Sequence, residues 1–155
     1  MVQLLRCPKL VIKNLSKYLS LSNDAQKFSN FGPCENLLRS RLAEALSVPV
    51  ESTSLGSSAT SLLLLACDML LEKIQKPQRV YVPVFSFMST FSIATKIQQP
   101  LHWFDVDAET FFPRNIDKFD KSDLLFLNIP FGSSKIEPFF EFARNLPCYV
   151  VIDAA

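Results

Sequence analysis

Three short stretches carry residue types that could do chemistry together. The first, Leu55-Gly56-Ser57-Ser58-Ala59-Thr60, lies between a β-rich segment and a long apolar run. If that run is a helix, its first turn offers unpaired N–H groups and the positive end of a dipole, a natural phosphate cradle. Gly56 lets the backbone approach closely and Ser57 and Ser58 add hydroxyls, although serines in this place also serve as ordinary N-caps. The second is Pro83-Val84-Phe85-Ser86-Phe87-Met88-Ser89-Thr90. An aromatic residue after a strand end can stack on a flat heteroaromatic ring. In a chain with 14 phenylalanines, Phe85 and Phe87 also read as plain core. The third is Asp153, closing the apolar run Tyr149-Val150-Val151-Ile152. A carboxylate there needs a partner, because a buried unpaired charge is costly; a protonated ring nitrogen or a helix N-cap would each answer.

Other candidates are weaker. His102 is the single histidine and reads as a packed or half-exposed strand residue. Asp105 and Asp107 share a strand face but have no third ligand, so they mark the turn that follows. Trp103 reads as core.

Hydrophobic spacing supplies the elements that would hold these residues. Leu10 to Leu21 is amphipathic, Asn30-Phe31-Gly32-Pro33 is a turn signal, and a helix is expected from about Glu35 to Leu46, with Leu37, Leu38, Leu42 and Leu46 on one face. A short strand is expected at Val50 to Ser54, then a helix from Ala59 to Lys76 that is apolar on nearly all sides. Strands follow at Arg79–Val84, Leu101–Val106, Asp123–Ile129 and Cys148–Ile152, with helices at Ser86–Gln98 and Ser133–Asn145 between them. Strands apolar on both faces that alternate with helices predict an α/β fold with a mostly parallel sheet flanked by helices. In such a sheet, ligands sit beyond the carboxyl ends of the strands.

Composition narrows the partners. The 155 residues are enough for one domain, and 48% are apolar, so a folded core is expected. A net charge of +1 argues against a nucleic-acid binder. Cys7, Cys34, Cys67 and Cys148 lack metal-ligand or disulfide-frame spacing, which fits a reduced, cytoplasmic setting. Met1 to Leu21 scatters basic residues where a signal peptide would be apolar. Leu62 to Leu71 contains Asp68 and is too short for a bilayer, so no membrane partner is expected. No G-x-G-x-x-G marks a dinucleotide fold.

In order and separation, the motifs resemble the DegT/DnrJ/EryC1/StrS family of pyridoxal-phosphate (PLP) sugar aminotransferases. The resemblance rests on Asn30-Phe31-Gly32-Pro33, Leu55 to Thr60, Val82 to Thr90, Pro100-Leu101-His102-Trp103-Phe104-Asp105-Val106-Asp107, Pro130-Phe131-Gly132 and Ile152-Asp153-Ala154-Ala155. It runs from about Pro8 to the last residue. It implies the large domain of a fold-type-I PLP enzyme in incomplete form over residues 31–155, with residues 1–30 as an N-terminal arm. It implies that Gly56, Ser57 and Ser58 hold the cofactor phosphate, that Phe87 stacks on the pyridine ring, and that Asp153 pairs with the ring nitrogen. The implied reaction is amino transfer from an amino-acid donor to a nucleotide-linked keto-sugar, in a homodimer.

This sequence departs from the family pattern at several places. Leu55 stands where the family has Ser, Thr60 replaces a leucine, and no histidine lies near Asn128, Ile129 and Pro130. The family's catalytic lysine belongs to a later part of the fold, whereas the ten lysines here all precede Asp153. Because the chain stops directly after an expected buried strand, a truncated and inactive chain is expected. The alternatives are a non-catalytic homologue acting through dimer-type association, and a PLP-dependent sugar dehydratase of the same family.

Overall fold

The computed structural model describes residues 14–74, 76–114, 116, 118–132 and 136–154. By internal packing the chain forms two units, one up to Leu55 and one from Gly56 onward.

The first unit is helical. Helix α1 spans Leu15–Asp24 and α2 spans Pro33–Leu46; the expected amphipathic stretch before Asn14 lies outside the described residues. The start of α2 is written in its sequence. Pro33 occupies the first helical position, where its missing N–H costs nothing. The Glu35 carboxylate turns back to accept the Phe31 N–H at 2.7 Å. Gly32 passes so close to the Ser29 carbonyl that a Cβ would sit 2.9 Å from it. At the other end, Ser47 is left-handed. Its N–H bonds to the Glu44 carbonyl and the Val48 N–H to the Ala43 carbonyl, the paired bonds of a Schellman stop. The strand expected at Val50–Ser54 is not formed. Val50–Ser52 is a 3-10 turn instead, closed by bonds from Ser52 N–H to Pro49 and from Thr53 N–H to Val50. Pro49 fixes the entry, and this segment is not among the strands of the described sheet.

The second unit is the expected α/β sheet. Its elements are α3 (Ala59–Ile74), β1 (Val80–Pro83), α4 (Met88–Lys96), β2 (Leu101–Val106), β3 (Pro113–Arg114), β4 (Leu124–Asn128), α5 (Glu137–Arg144) and β5 (Tyr149–Asp153). The expected start of α5 at Ser133 to Lys135 lies outside the described residues. Strand order is β3-β2-β1-β4-β5. β1, β2, β4 and β5 are parallel, and only the two-residue β3 is antiparallel to its neighbour. The chain leaves β1 for β2 on one side and returns to β4 on the other. β1 and β4 therefore flank the switch point at which open α/β sheets bind ligands.

Period-two alternation divides the core between the two faces of the sheet. Val80, Val82, Leu124, Phe126 and Val151 pack with Leu63 and Cys67 of α3 and Ile93 and Ala94 of α4. Tyr81, Leu125 and Leu127 face the other way, against Phe142, Leu146, Val150 and Ile152. Strands buried on both faces read as continuous apolar runs, as Leu124 to Leu127 do. α3 is buried along one side only: Leu65 and Met69 are exposed among the described residues. Trp103 is not core; it is half exposed and lies against Phe91, with ring centroids 5.4 Å apart.

At the end of the sheet where the strands begin, Asp123 is fully buried and Arg79 is its partner. The guanidinium donates from Nε at 2.9 Å and from Nη2 at 2.7 Å, and the Asp120 N–H adds a third bond at 2.7 Å. This fork joins the starts of β1 and β4, which sets the register at the opposite, ligand-facing end. Among the described residues no helix is long and apolar enough to cross a membrane.

Candidate functional site

A cavity of about 550 Å³ opens where β1, β4 and β5 end, within the range of small-molecule sites. Its walls are Ala59 and Thr60 from the first turn of α3, Phe85, Ser86, Phe87 and Ser89 after β1, Asn128, Pro130 and Phe131 after β4, and Asp153 at the end of β5. Three parallel strands in register converge on it.

Asp153 is half-buried and closes β5, one residue later than the sequence pattern indicates. Parallel pairing sets it opposite Asn128. Its Oδ2 accepts a bond at 3.1 Å from the hydroxyl of Thr90, which is fully buried in α4. The side chain is thereby aimed by a group that cannot itself turn to solvent. Phe87 lines the same cavity and is 73% exposed; Phe85 is half exposed. The core reading of these two rings is therefore overturned.

The phosphate-type stretch is arranged differently. Ser58 and Ser61 form a reciprocal cap at the start of α3: the Ser61 N–H donates to Ser58 Oγ at 3.1 Å and the Ser58 N–H to Ser61 Oγ at 3.2 Å. The ordinary capping role thus applies to Ser58. Gly56, Ser57 and Ser58 are exposed and do not line the cavity, whereas the next two residues, Ala59 and Thr60, do. A Cβ at Gly56 would lie 2.7 Å from the Leu62 side chain, which would have to shift to admit it.

Three phenylalanines from three loops form a further cluster. Phe85 and Phe111 are stacked with centroids 5.9 Å apart. Phe131 is 6.1 Å from Phe85 and meets Phe111 edge-on at 5.9 Å. Phe111 and Phe131 both sit on left-handed backbone, φ 59° and 62°, which costs an L-residue about 1–2 kcal/mol each. Asp107 builds the loop under Phe111. Its Oδ1 accepts the N–H groups of Glu109 and Thr110 and the Thr110 hydroxyl, and its backbone carbonyl accepts the Phe111 N–H. Chiefly because of the Thr110 bonds, the carboxyl is held down to about 2, with Arg114 assisting as an ion-pair partner. Asp105 lies within β2 and accepts the Val106 N–H, and among the described residues no group of three or more His, Cys, Asp or Glu side chains is placed to hold a metal ion.

His102 is exposed on β2 with its ring 5.3 Å from Tyr81, clear of the cavity. Burial pushes the Cys67 and Cys148 thiols up to about 11, consistent with inert packing. Sequence reasoning missed Thr90 as the anchor of Asp153, and it missed the aromatic cluster. The two partners of the first are 63 residues apart. The second depends on loop conformations that no periodicity encodes.

No family model matches this sequence, and no curated protein matches it. Solved structures do match in fold. The chain is similar to the E. coli GDP-4-keto-6-deoxy-D-mannose-3-dehydratase with bound hydrated PLP, at 13% identity and TM-score 0.66, over 89% of this chain and 37% of that one. It is similar to a Streptococcus pneumoniae protein assigned as a sugar aminotransferase, in its PLP form, at 18% identity and TM-score 0.57, over 90% of this chain and 36% of that one. The chain thus spans well under half the length of these structures. It has the fold of the corresponding part of fold-type-I PLP enzymes, the fold that the sequence resemblance implied.

Proposed function

We propose that the cavity at the ends of β1, β4 and β5 is a PLP site, and that the chain is the front portion of a PLP-dependent enzyme acting on nucleotide-linked keto-sugars. The observation that carries this reading is the pairing, within one cavity, of a bare phenyl ring at Phe87 with a carboxylate at Asp153 that a buried hydroxyl aims. A flat, ring-nitrogen-bearing cofactor fits that pair: Phe87 packs against its face and Asp153 holds the proton on its ring nitrogen. Ala59 and Thr60 bring the first turn of α3 to the cavity wall, where the helix N-terminus favours a phosphate. Gly56 and Ser57 lie just before that turn, outside the cavity lining, and are assigned to the phosphate side by the sequence resemblance alone, while Ser58 fixes the helix start through its pair with Ser61. Bound there, PLP supplies an electron sink for carbanion chemistry at a substrate carbon.

No lysine lines the cavity among the described residues. We therefore infer reversible, non-covalent holding of the cofactor by these residues, without turnover. Amino transfer from an amino-acid donor is the first reading of the reaction. Sugar dehydration is the second, favoured by likeness to a dehydratase structure. Association with a second copy through apolar surface such as Leu65 and Met69 of α3 belongs to the same proposal.

The test is a titration of the purified chain with PLP followed by the cofactor's visible absorption, then borohydride reduction and intact mass. Saturable binding is expected, weakened in Phe87→Ala and Asp153→Ala, with no stoichiometric covalent adduct. Binding that ignores both substitutions would remove the site. A single lysine adduct with turnover would remove the claim of inactivity.

A further inference from the structure

The cofactor reading uses Phe87 and Asp153 and leaves Phe85, Phe111 and Phe131 without a task. These rings contribute little to the core. Phe131 is 81% exposed, Phe85 is 48% exposed, and neither belongs to the clusters that pack the two sheet faces. Two of the three are held on left-handed backbone, which bulky residues rarely adopt. Strain of this kind persists where the surroundings over-determine it, and it collects at ligand sites.

Phe131 is braced on one side, edge-on against Phe111 and tilted against Phe85, and open on the other. Each bracing ring comes from a different loop, so the face of Phe131 is preorganised before any ligand arrives. It also lines the same cavity as Asp153 and Phe87. Asp153 is the one charged side chain among the described lining residues. What this rim offers is therefore an apolar, flat surface rather than a charge.

We propose that the Phe85–Phe111–Phe131 cluster is a stacking platform for the nucleobase of the nucleotide-linked substrate. The proposal rests on the reading of the cavity as the site of a nucleotide-sugar enzyme. A base stacks on an aromatic face whatever its hydrogen-bond pattern, so the platform favours having a base over lacking one and discriminates weakly between bases. Bracing a single exposed ring reduces the ordering cost that a free side chain would incur on binding.

The probes are guanosine monophosphate and ribose 5-phosphate, the second carrying an anomeric hydroxyl in place of the base, titrated calorimetrically into the full chain. Guanosine monophosphate is expected to bind roughly tenfold more tightly, equivalent to about 1.4 kcal/mol. Phe131→Gly removes the ring and relaxes the left-handed backbone, so its melting temperature should hold or rise. It should lose that tenfold preference while binding ribose 5-phosphate unchanged, and Phe131→Tyr should keep the preference. Equal binding of the two probes by the wild-type chain overturns the proposal, as does an undiminished preference in the glycine variant. PLP absorption recorded on the same samples separates the two readings. If PLP fails to bind while the base preference is present and lost in Phe131→Gly, the cofactor assignment falls and the platform stands. The reverse pattern removes the platform alone.

Discussion

Replacing Thr90 separates packing from ligand binding within one buried side chain. Its hydroxyl donates to Asp153 Oδ2 at 3.1 Å, and the residue is fully buried. Thr90→Val keeps the shape and removes the donor; Thr90→Ser keeps the donor and removes a methyl. A hydrogen bond to a charged group contributes about 1.5–3 kcal/mol net. Asp153 is half-buried and lines the open cavity, so water can replace the lost donor. That brings the expected loss in the valine variant to about 1–1.5 kcal/mol, or roughly 5- to 13-fold in PLP affinity. The serine variant loses one buried methyl, about 0.8–1.5 kcal/mol of stability, which lowers the melting temperature by a few degrees at about 2–4 °C per kcal/mol. Affinity should fall in valine and hold in serine, as measured by absorbance titration, while both variants lose about 1 kcal/mol of stability, as measured by thermal unfolding. If both variants bind PLP like the wild type, or serine loses as much affinity as valine, Thr90 does not act by aiming Asp153.

Three further outcomes are expected. The folded-state value of the Asp107 carboxyl, about 2, lies below its ordinary 3.8. Its contribution is therefore complete above about pH 4 and lost as pH falls through about 2. The NMR signals of the Phe111 ring should shift over that acid window in the wild type, and that shift should vanish in Asp107→Ala. Asp123→Ala removes the acceptor of three bonds at the fully buried start of β4. Arg79 can turn to water, so the loss is about 2–3 kcal/mol rather than the larger cost of stranding a buried charge, read by urea unfolding. Charging the bare side of α3 with Leu65→Lys and Met69→Lys should shift sedimentation toward monomer and leave PLP binding unchanged; an unaltered oligomeric state would place self-association elsewhere.

The legible parts of this fold are those where one physical rule decides. β1 and β4 are found within a residue because two-sided burial writes continuous apolar runs, and the less buried β2 and β5 also fall at or within a residue of their expected bounds. Pro33 and the Asn30–Pro33 turn mark the start of α2 for local steric reasons. The misses occur where a neighbour decides. Val50–Ser52 has β-like composition but is not among the strands of the described sheet. Pro113–Arg114 pairs as a two-residue strand although proline argues against one. Trp103, Phe85 and Phe87 are large and apolar, and nothing local records that the described chain leaves them open.

The same division separates the halves of the site. That Asp153 and Phe87 come to one cavity follows from their places at and after strand ends, which a parallel sheet in register brings together. The chemistry of the first turn of α3 was legible as a class, phosphate cradle or cap, but its assignment to residues was not. A capping pair three residues apart draws the Ser58 N–H and hydroxyl into the helix and presents Ala59 and Thr60 to the cavity. Stacking, charge and helix-end polarity are thus placed by backbone topology, which sequence periodicity reports well. Which hydroxyl aims which carboxylate, and which phenyl ring is left bare, is set by side-chain contacts between segments as distant as Thr90 and Asp153. Those contacts, rather than the motif itself, decide whether a cofactor is merely accommodated or held in one orientation.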